Sequence, residues 1–514
     1  MVQLNGKSLN SETILKIQDF NEKVELSEDA WKRIDESRAV VDEILSSGRT
    51  KYAVNTGIGT QLGNVVISED NLIELNENLI RSHCVGTGNP ISAARTRALM
   101  AVRLNYFAGG YSGVSRSTVE SLLAALNKNC LPIIPERGSV GAHDLAQLSH
   151  MTLGLLGEGK MWSGDSFSEE ASASVVLGRN ELENLQLKPK DAISMISGNA
   201  FAAALGAEAA HRANMIVNVA DVVAAMTIEG LVGTTDAFDP DIHNARPHKG
   251  QIKVARKIRS LLNNQHQKSE IGQSWAVTRV QDPYTLRCIP QVHGISNDVV
   301  EFATELIENE LDSSQDNPMV LVDQNTTTTC GNFHGGYISK ALDYLAIGVH
   351  EIGNMGERRI ERLLNPACSE LPAFLTPTGG INSGFMIGQV TASALVSENK
   401  TLCHPASVDT IATCAGYEDH VSMSGWAARK ALTVVENVER ILAIELLCAC
   451  QAVDLRRPLT STPILEKVHA CVRSSAQFMT TDRVLSTDIE AVALKITDGT
   501  IWNIVKDHID AHVD

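Results

Sequence analysis

The chain is poor in aromatic residues, short of basic charge and without a long uninterrupted apolar run. Phe, Trp and Tyr make up 4% of its 514 residues, so aliphatic and small side chains must do most of the packing. Lys and Arg total 44 against 61 Asp and Glu, a formal charge of −17. That balance argues against a nucleic-acid surface or an anionic-membrane patch, since both need clustered cations. No apolar run reaches the ~18 residues of a membrane-spanning helix. The opening stretch "MVQLNGKSLNSETILKIQDF" has no apolar signal core, which leaves a cytoplasmic location as the expectation. The ten cysteines are scattered, and only Cys448 and Cys450 lie close together. Cys-x-Cys without a second pair is a poor zinc signal, so free, buried thiols are expected. There is no phosphate-binding Gly-Lys-Ser/Thr run and no His-Glu-x-x-His, and no metal site is expected. Gly57-Ile58-Gly59 lacks the spacing of a dinucleotide fingerprint.

What is present is a large apolar fraction, 43%, arranged at helical spacing. Residues 1–110 mix short strand-like runs with helices and read as a small mixed head. Residues 111–514 read as an elongated helical bundle, so the fold class is mainly α. The stretch from Asp191, "DAISMISGNAFAAALGAEAAHRANMIVNVADVVAAMTIEGL", is Ala-rich and apolar on nearly every face. A soluble helix of that kind is buried in a bundle or between subunits. Further long helices are predicted at about 292–311, 336–366, 384–402 and 424–455.

Polar loops punctuate these helices. Tyr52 and Asn55 precede "TGIG", His83 sits in "RSHCVGTG", and Ser197 to Asn199 interrupt "SMISGNAF". Gln281, Tyr284 and Arg287 lie in "QDPYTLRC", Phe333 in "GNFHGG", and Tyr417 and Glu418 in "GYEDHVSM". With "RGSVGA", "DNPMV" and "NSGFMIGQVTASALVSENKTLCHPASVD", these pieces resemble, in order and spacing, the aromatic amino acid ammonia-lyases, histidine ammonia-lyase most of all. The resemblance implies a helical homotetramer whose active sites draw on three subunits. It also implies elimination of an amine from an α-amino acid to leave a conjugated acid.

One loop departs from the family. There it reads Ala-Ser-Gly before Asp-Leu, and the three residues cyclise and lose water to give an electrophilic methylidene-imidazolone. Ser supplies the methylidene carbon, and Gly lets the backbone nitrogen close the ring. Here the loop reads Gly141-Ala142-His143-Asp144, one residue shorter and without Ser or Gly after Ala142. The nearest hydroxyl, Ser139, is followed by β-branched Val140. The cofactor is therefore expected to be absent. The family's Asn is also replaced at Ser197, and its Gln at Tyr417.

A quaternary ammonium has no lone pair for an electrophile to capture, and its trialkylamine already leaves readily. On that logic the chain resembles ergothionase, a relative without the imidazolone, and the expected reaction is loss of trimethylamine from the betaine ergothioneine to give thiourocanate. Histidine ammonia-lyase and an inactive binding or scaffold homologue are the alternatives. The resemblance makes Tyr52 the base at the β-carbon, with Tyr284 next in line, and Arg287 the carboxylate ligand, oriented by Tyr284 and Gln281. His83 and Glu418 face one or other end of the substrate, and Phe333 and Tyr417 are candidates for an aromatic wall. His143 either donates to the carboxylate or fills space.

Overall fold

The computed structural model describes residues 1–59, 62–264, 267–274 and 280–511. The fold is mainly α, as the helical spacing predicts. Contacts divide the chain into two units, each assembled from three segments. One comprises Met1–His211, Thr304–Asp343 and Pro405–Lys430, and the other Arg212–Ala303, Tyr344–His404 and Ala431–Asp514.

In the first unit, β1 (Val2–Leu4) pairs in parallel with β2 (Val24–Leu26). Helices α1 (Ser11–Gln18) and α2 (Glu28–Ser46) begin at Asn10 and Ser27, whose side chains accept backbone N–H groups of the first turn. α3 (Leu72–His83) is followed by β3 (Thr87–Pro90) and then α4 (Ala93–Ala108), which is buried along most of its length. α5 (Arg116–Asn127) leads to β4 (Pro135–Arg137), the antiparallel partner of β3. The segment after β4 enters α6 (Leu145–Leu155).

The Ala-rich stretch is broken rather than continuous. α7 (Asp191–Ile196) ends at Ser197, Gly198 takes φ +92°, and α8 (Ala200–Gly230) starts two residues later. By length and composition Asp191–Gly230 could cross a membrane, which corrects the expectation that no segment is apolar enough. However, 83% of its most apolar window is buried within the protein, as for a core helix. Small residues let neighbours come close: a Cβ added to Gly206 would stand 3.3 Å from the side chains of Ile338 and Leu342.

The later helices fall near their predicted positions: α9 (Ile289–Leu311), α10 (Gly336–Leu364), α11 (Met386–Leu402) and α12 (Ser424–Leu455). The second unit buries a charged network. Arg359 makes two bonds to Glu445, at 2.5 and 3.0 Å, and Asp221 accepts from Lys257 at 3.1 Å and contacts His293 Nδ1 at 2.8 Å. Paired in this way, charges can sit in an apolar interior. All ten cysteines are free, but only Cys130, Cys448 and Cys450 are buried and Cys414 is exposed, so the expectation of uniformly buried thiols is corrected.

Candidate active site

The loop between β4 and α6 is held by three other segments of its own unit. Met423 N–H donates to the Val140 carbonyl at 2.7 Å. The Gly141 carbonyl accepts from Gly335 N–H at 2.9 Å and from Ser422 Oγ at 2.8 Å. Gly141 is required here: its φ is +83°, and an added Cβ would lie 2.2 Å from Ser422 Oγ and 2.6 Å from Ser424 N. The break between α7 and α8 supplies the third clamp, since Asp144 N–H donates to the Gly198 carbonyl at 2.8 Å.

Asp144 starts α6 without capping it. Its buried carboxylate instead accepts from Ser139 Oγ at 2.6 Å and from Ala202 N–H, in the first turn of α8, at 3.1 Å. An anion at a helix N-terminus satisfies free N–H groups and meets the positive end of the dipole. Burial nevertheless pushes this carboxyl up to about 6, against the lowering effect of those bonds. On α4, the buried Arg103 donates to the Ser194 and Ser197 carbonyls, which ties down the end of α7.

His143 lies at the centre of this arrangement. Its φ of +61° is strained for a residue with a side chain. Its N–H donates to the Phe333 carbonyl at 3.3 Å, and its ring stacks on Phe333 with centroids 4.2 Å apart. Gly198 N–H donates to His143 Nδ1 at 2.8 Å, which places the neutral ring's proton on Nε2. Burial, reinforced by the charge of Arg103, lowers the imidazole to about 3. The segments that hold this loop carry buried polar atoms without partners: Ser197 Oγ and Asn199 Oδ1 on either side of Gly198, His334 Nε2 after Phe333, and Ser424 Oγ after Met423. Asn199 is fixed by its other bonds, N–H to Gln315 Oε1 at 2.7 Å and Nδ2 to the Phe333 carbonyl at 2.6 Å. Unsatisfied buried groups are costly, and each of these atoms has room for a partner the described residues do not supply.

Of the residues picked from the sequence, Gly141, Ala142, His143, Asp144, Ser197 and Phe333 meet at this point. Tyr52 stands in its own loop, where its phenolic oxygen accepts Gly59 N–H at 3.1 Å. His83 closes α3, with Nδ1 2.8 Å from the Leu79 carbonyl. Glu418 accepts from Thr413 Oγ1 at 2.5 Å, while the neighbouring Tyr417 is 76% exposed. Gln281, Tyr284 and Arg287 belong to the second unit. There Arg287 Nε donates to the Asp282 carbonyl at 2.9 Å and its guanidinium lies 4.8 Å from the Tyr284 ring centre. The sequence did not single out Arg103, Gln315, Ser422 or Ser424. Gln315 and Ser422 lie in polar loops, which was the one available signal; Arg103 lies mid-helix and had none. No cluster suited to a metal ion occurs among the described residues.

A family model described as aromatic amino acid lyase matches residues 9–474. The chain belongs to that family. It is accordingly a carbon–nitrogen lyase, and its helical fold is the one seen in ammonia-lyase structures. It is 50% identical to histidine ammonia-lyase of Bos taurus over 513 residues, covering 99% of this chain and 78% of that protein. A crystal structure of histidine ammonia-lyase from Trypanosoma cruzi is 46% identical with a TM-score of 0.91, over 99% of this chain and 95% of that one. Ergothionase from Treponema denticola shares the fold at a TM-score of 0.88 but only 27% identity, over 98% and 99% of the two chains. The expected kinship with ergothionase, and with it trimethylamine loss from ergothioneine, is thereby overturned. Across the whole chain the likeness runs to histidine ammonia-lyases, and the loop that lacks the electrophile's residues is one short stretch of it.

The family implies a methylidene-imidazolone in the loop, and the residues present do not fit it. Ala142, in the middle position, has no hydroxyl to lose. His143, whose backbone nitrogen would have to close the ring, carries a side chain where the family has Gly, and its N–H is donated to the Phe333 carbonyl. The Ser139 hydroxyl is engaged with Asp144 and with Gly141 N–H, the latter at 3.0 Å.

Proposed function

We propose that this lyase removes ammonia from histidine to give urocanate. The observation that carries the reading is the near-complete likeness to histidine ammonia-lyases at 46–50% identity. The groups such a reaction needs fall to residues that the family resemblance implies. Tyr52 is the base for the β-proton in this reading, and the Gly59 N–H donated to its phenolic oxygen fixes where that oxygen stands in its loop. Arg287 has no carboxylate partner among the described residues, which leaves its guanidinium for the substrate carboxylate. In this proposal Tyr284 and Glu418 are the further catalytic candidates, and His83, Gln281 and Tyr417 are substrate ligands, as the family resemblance implies.

The same reading includes a homotetramer, for which exposed Tyr284, Tyr337 and Ile381, at 70%, 70% and 93%, supply contact surface. A cytoplasmic location accords with ten free thiols. The test is to incubate the purified protein with histidine and follow the ultraviolet absorbance of the conjugated acid. Urocanate formation supports the reading; no product at millimolar histidine, under conditions where a known histidine ammonia-lyase works, overturns it.

A further inference from the structure

The misfit between the loop and the family's electrophile has a chemical consequence, which rests on the histidine reading above. The geometry points to a loop that stays an unmodified peptide and to a lyase that expels ammonia directly from the ammonium form of its substrate, with His143 Nε2–H holding the substrate carboxylate.

His143 is built as a donor. Gly198 N–H occupies Nδ1, the ring is fixed by its stack on Phe333, and Nε2 has no partner among the described residues. An ammonium group carries only donors and cannot accept from Nε2–H, whereas a carboxylate can. The ammonium is instead suited to the unpartnered oxygens of Ser197 and Asn199, both fully buried and flanking Gly198, whose N–H meets that ring. The ionisable groups around the ring are Asp144 on its own loop, Arg103 from α4, and His334, which stacks on His420. Burial keeps the imidazole itself uncharged, so it does not repel the ammonium.

The step balances without another reagent. The Tyr52 phenolate takes the β-proton and becomes phenol. The C–H electron pair becomes the Cα=Cβ bond, and the Cα–N pair leaves on nitrogen as neutral ammonia. An electrophile-bearing site needs the free amine as a nucleophile. This site needs the amine protonated, and the two therefore depend on pH with opposite sign.

Three measurements on the full-length protein test this. Intact mass spectrometry is expected to give the unmodified mass of the sequence, and borohydride, which reduces a methylidene-imidazolone, should leave activity unchanged. kcat/KM for histidine should fall as pH rises through the substrate's amino pKa. His143→Phe keeps an aromatic ring on Phe333 but loses the donor, and KM should rise ~10–100-fold with a smaller change in kcat, as for a lost hydrogen bond to a charged group. His143→Asn, which tolerates positive φ and retains a donor, should recover part of that loss. A mass two waters short within residues 138–144, borohydride inactivation, a rate that rises as the amine deprotonates, or an unchanged KM in both variants overturns the inference. Unmodified mass with no histidine turnover overturns the histidine reading and the ammonium step together, and leaves the unmodified loop standing.

Discussion

Asp144 offers the sharpest test of how the site is held. Its carboxylate bridges Ser139 and the first turn of α8 while fully buried. Asp144→Ala leaves Ser139 a fallback acceptor, the His143 carbonyl at 3.2 Å, but strands Ala202 N–H at a buried helix start. One orphaned donor and one lost helix-end anion together cost about 2–3 kcal/mol. The pH dependence is a separate signature. Burial raises this carboxyl to about 6 in the fold, whereas in the unfolded chain it ionises near 4. The folded state therefore binds more protons between those values, and stability falls as pH rises through about 4 to 6, by up to ~3 kcal/mol, then levels off. Asp144→Asn removes that contribution. Urea unfolding followed by circular dichroism at pH 4.5 and 6.5, at one protein concentration, reads both effects. An alanine variant within ~0.5 kcal/mol of the parent, against the cost expected for a buried cap, or an asparagine variant with the parent's pH slope, would refute this account of the carboxylate.

Three further outcomes are expected. Tyr52→Phe should lower kcat about 10²-fold with little change in substrate binding, as for loss of a general base, measured by steady-state kinetics and equilibrium dialysis; near-normal turnover would remove it as the base. Arg287→Ala should weaken substrate affinity by about 2–4 kcal/mol yet leave the thermal midpoint unchanged, because its side chain donates only to the Asp282 carbonyl among the described residues. Gly141→Ala forces a Cβ to within 2.2 Å of Ser422 Oγ at φ +83°, so the loop must shift, at a folding cost of about 1–3 kcal/mol and at least tenfold in turnover.

The long helices were legible because their packing is dictated by local spacing: runs of Ala, Gly, Leu and Val at helical period form α10, α11 and α12 near the expected bounds. The interruption at Ser197–Asn199 was visible too, as a Ser-Gly-Asn cluster inside an apolar run. The partners of Asp144 were not. Asp144 reads as a cap for the helix it precedes, yet it serves α8, whose donating N–H, that of Ala202, lies 58 residues on. Arg103 reaching the end of α7 across 94 residues is likewise a tertiary fact with no local mark. The misreading of the substrate had a different origin. The loop chemistry at Ala142 and His143 bears on how an amine can leave, and says little about which amino acid the rest of the pocket accepts.

The junction between α7 and α8 also bears on the order of folding. Left to itself, Asp191–Gly230 is an Ala-rich segment whose helix need only step across Ser197, Gly198 and Asn199, and helical propensity favours closing the gap. The break is held open by groups from elsewhere: the Arg103 guanidinium on the outgoing carbonyls and the Asp144 carboxylate on the incoming N–H groups. Both must arrive before the pocket around His143 exists. The local helices can therefore form early, while the surroundings of His143 are among the last parts of the first unit to be completed.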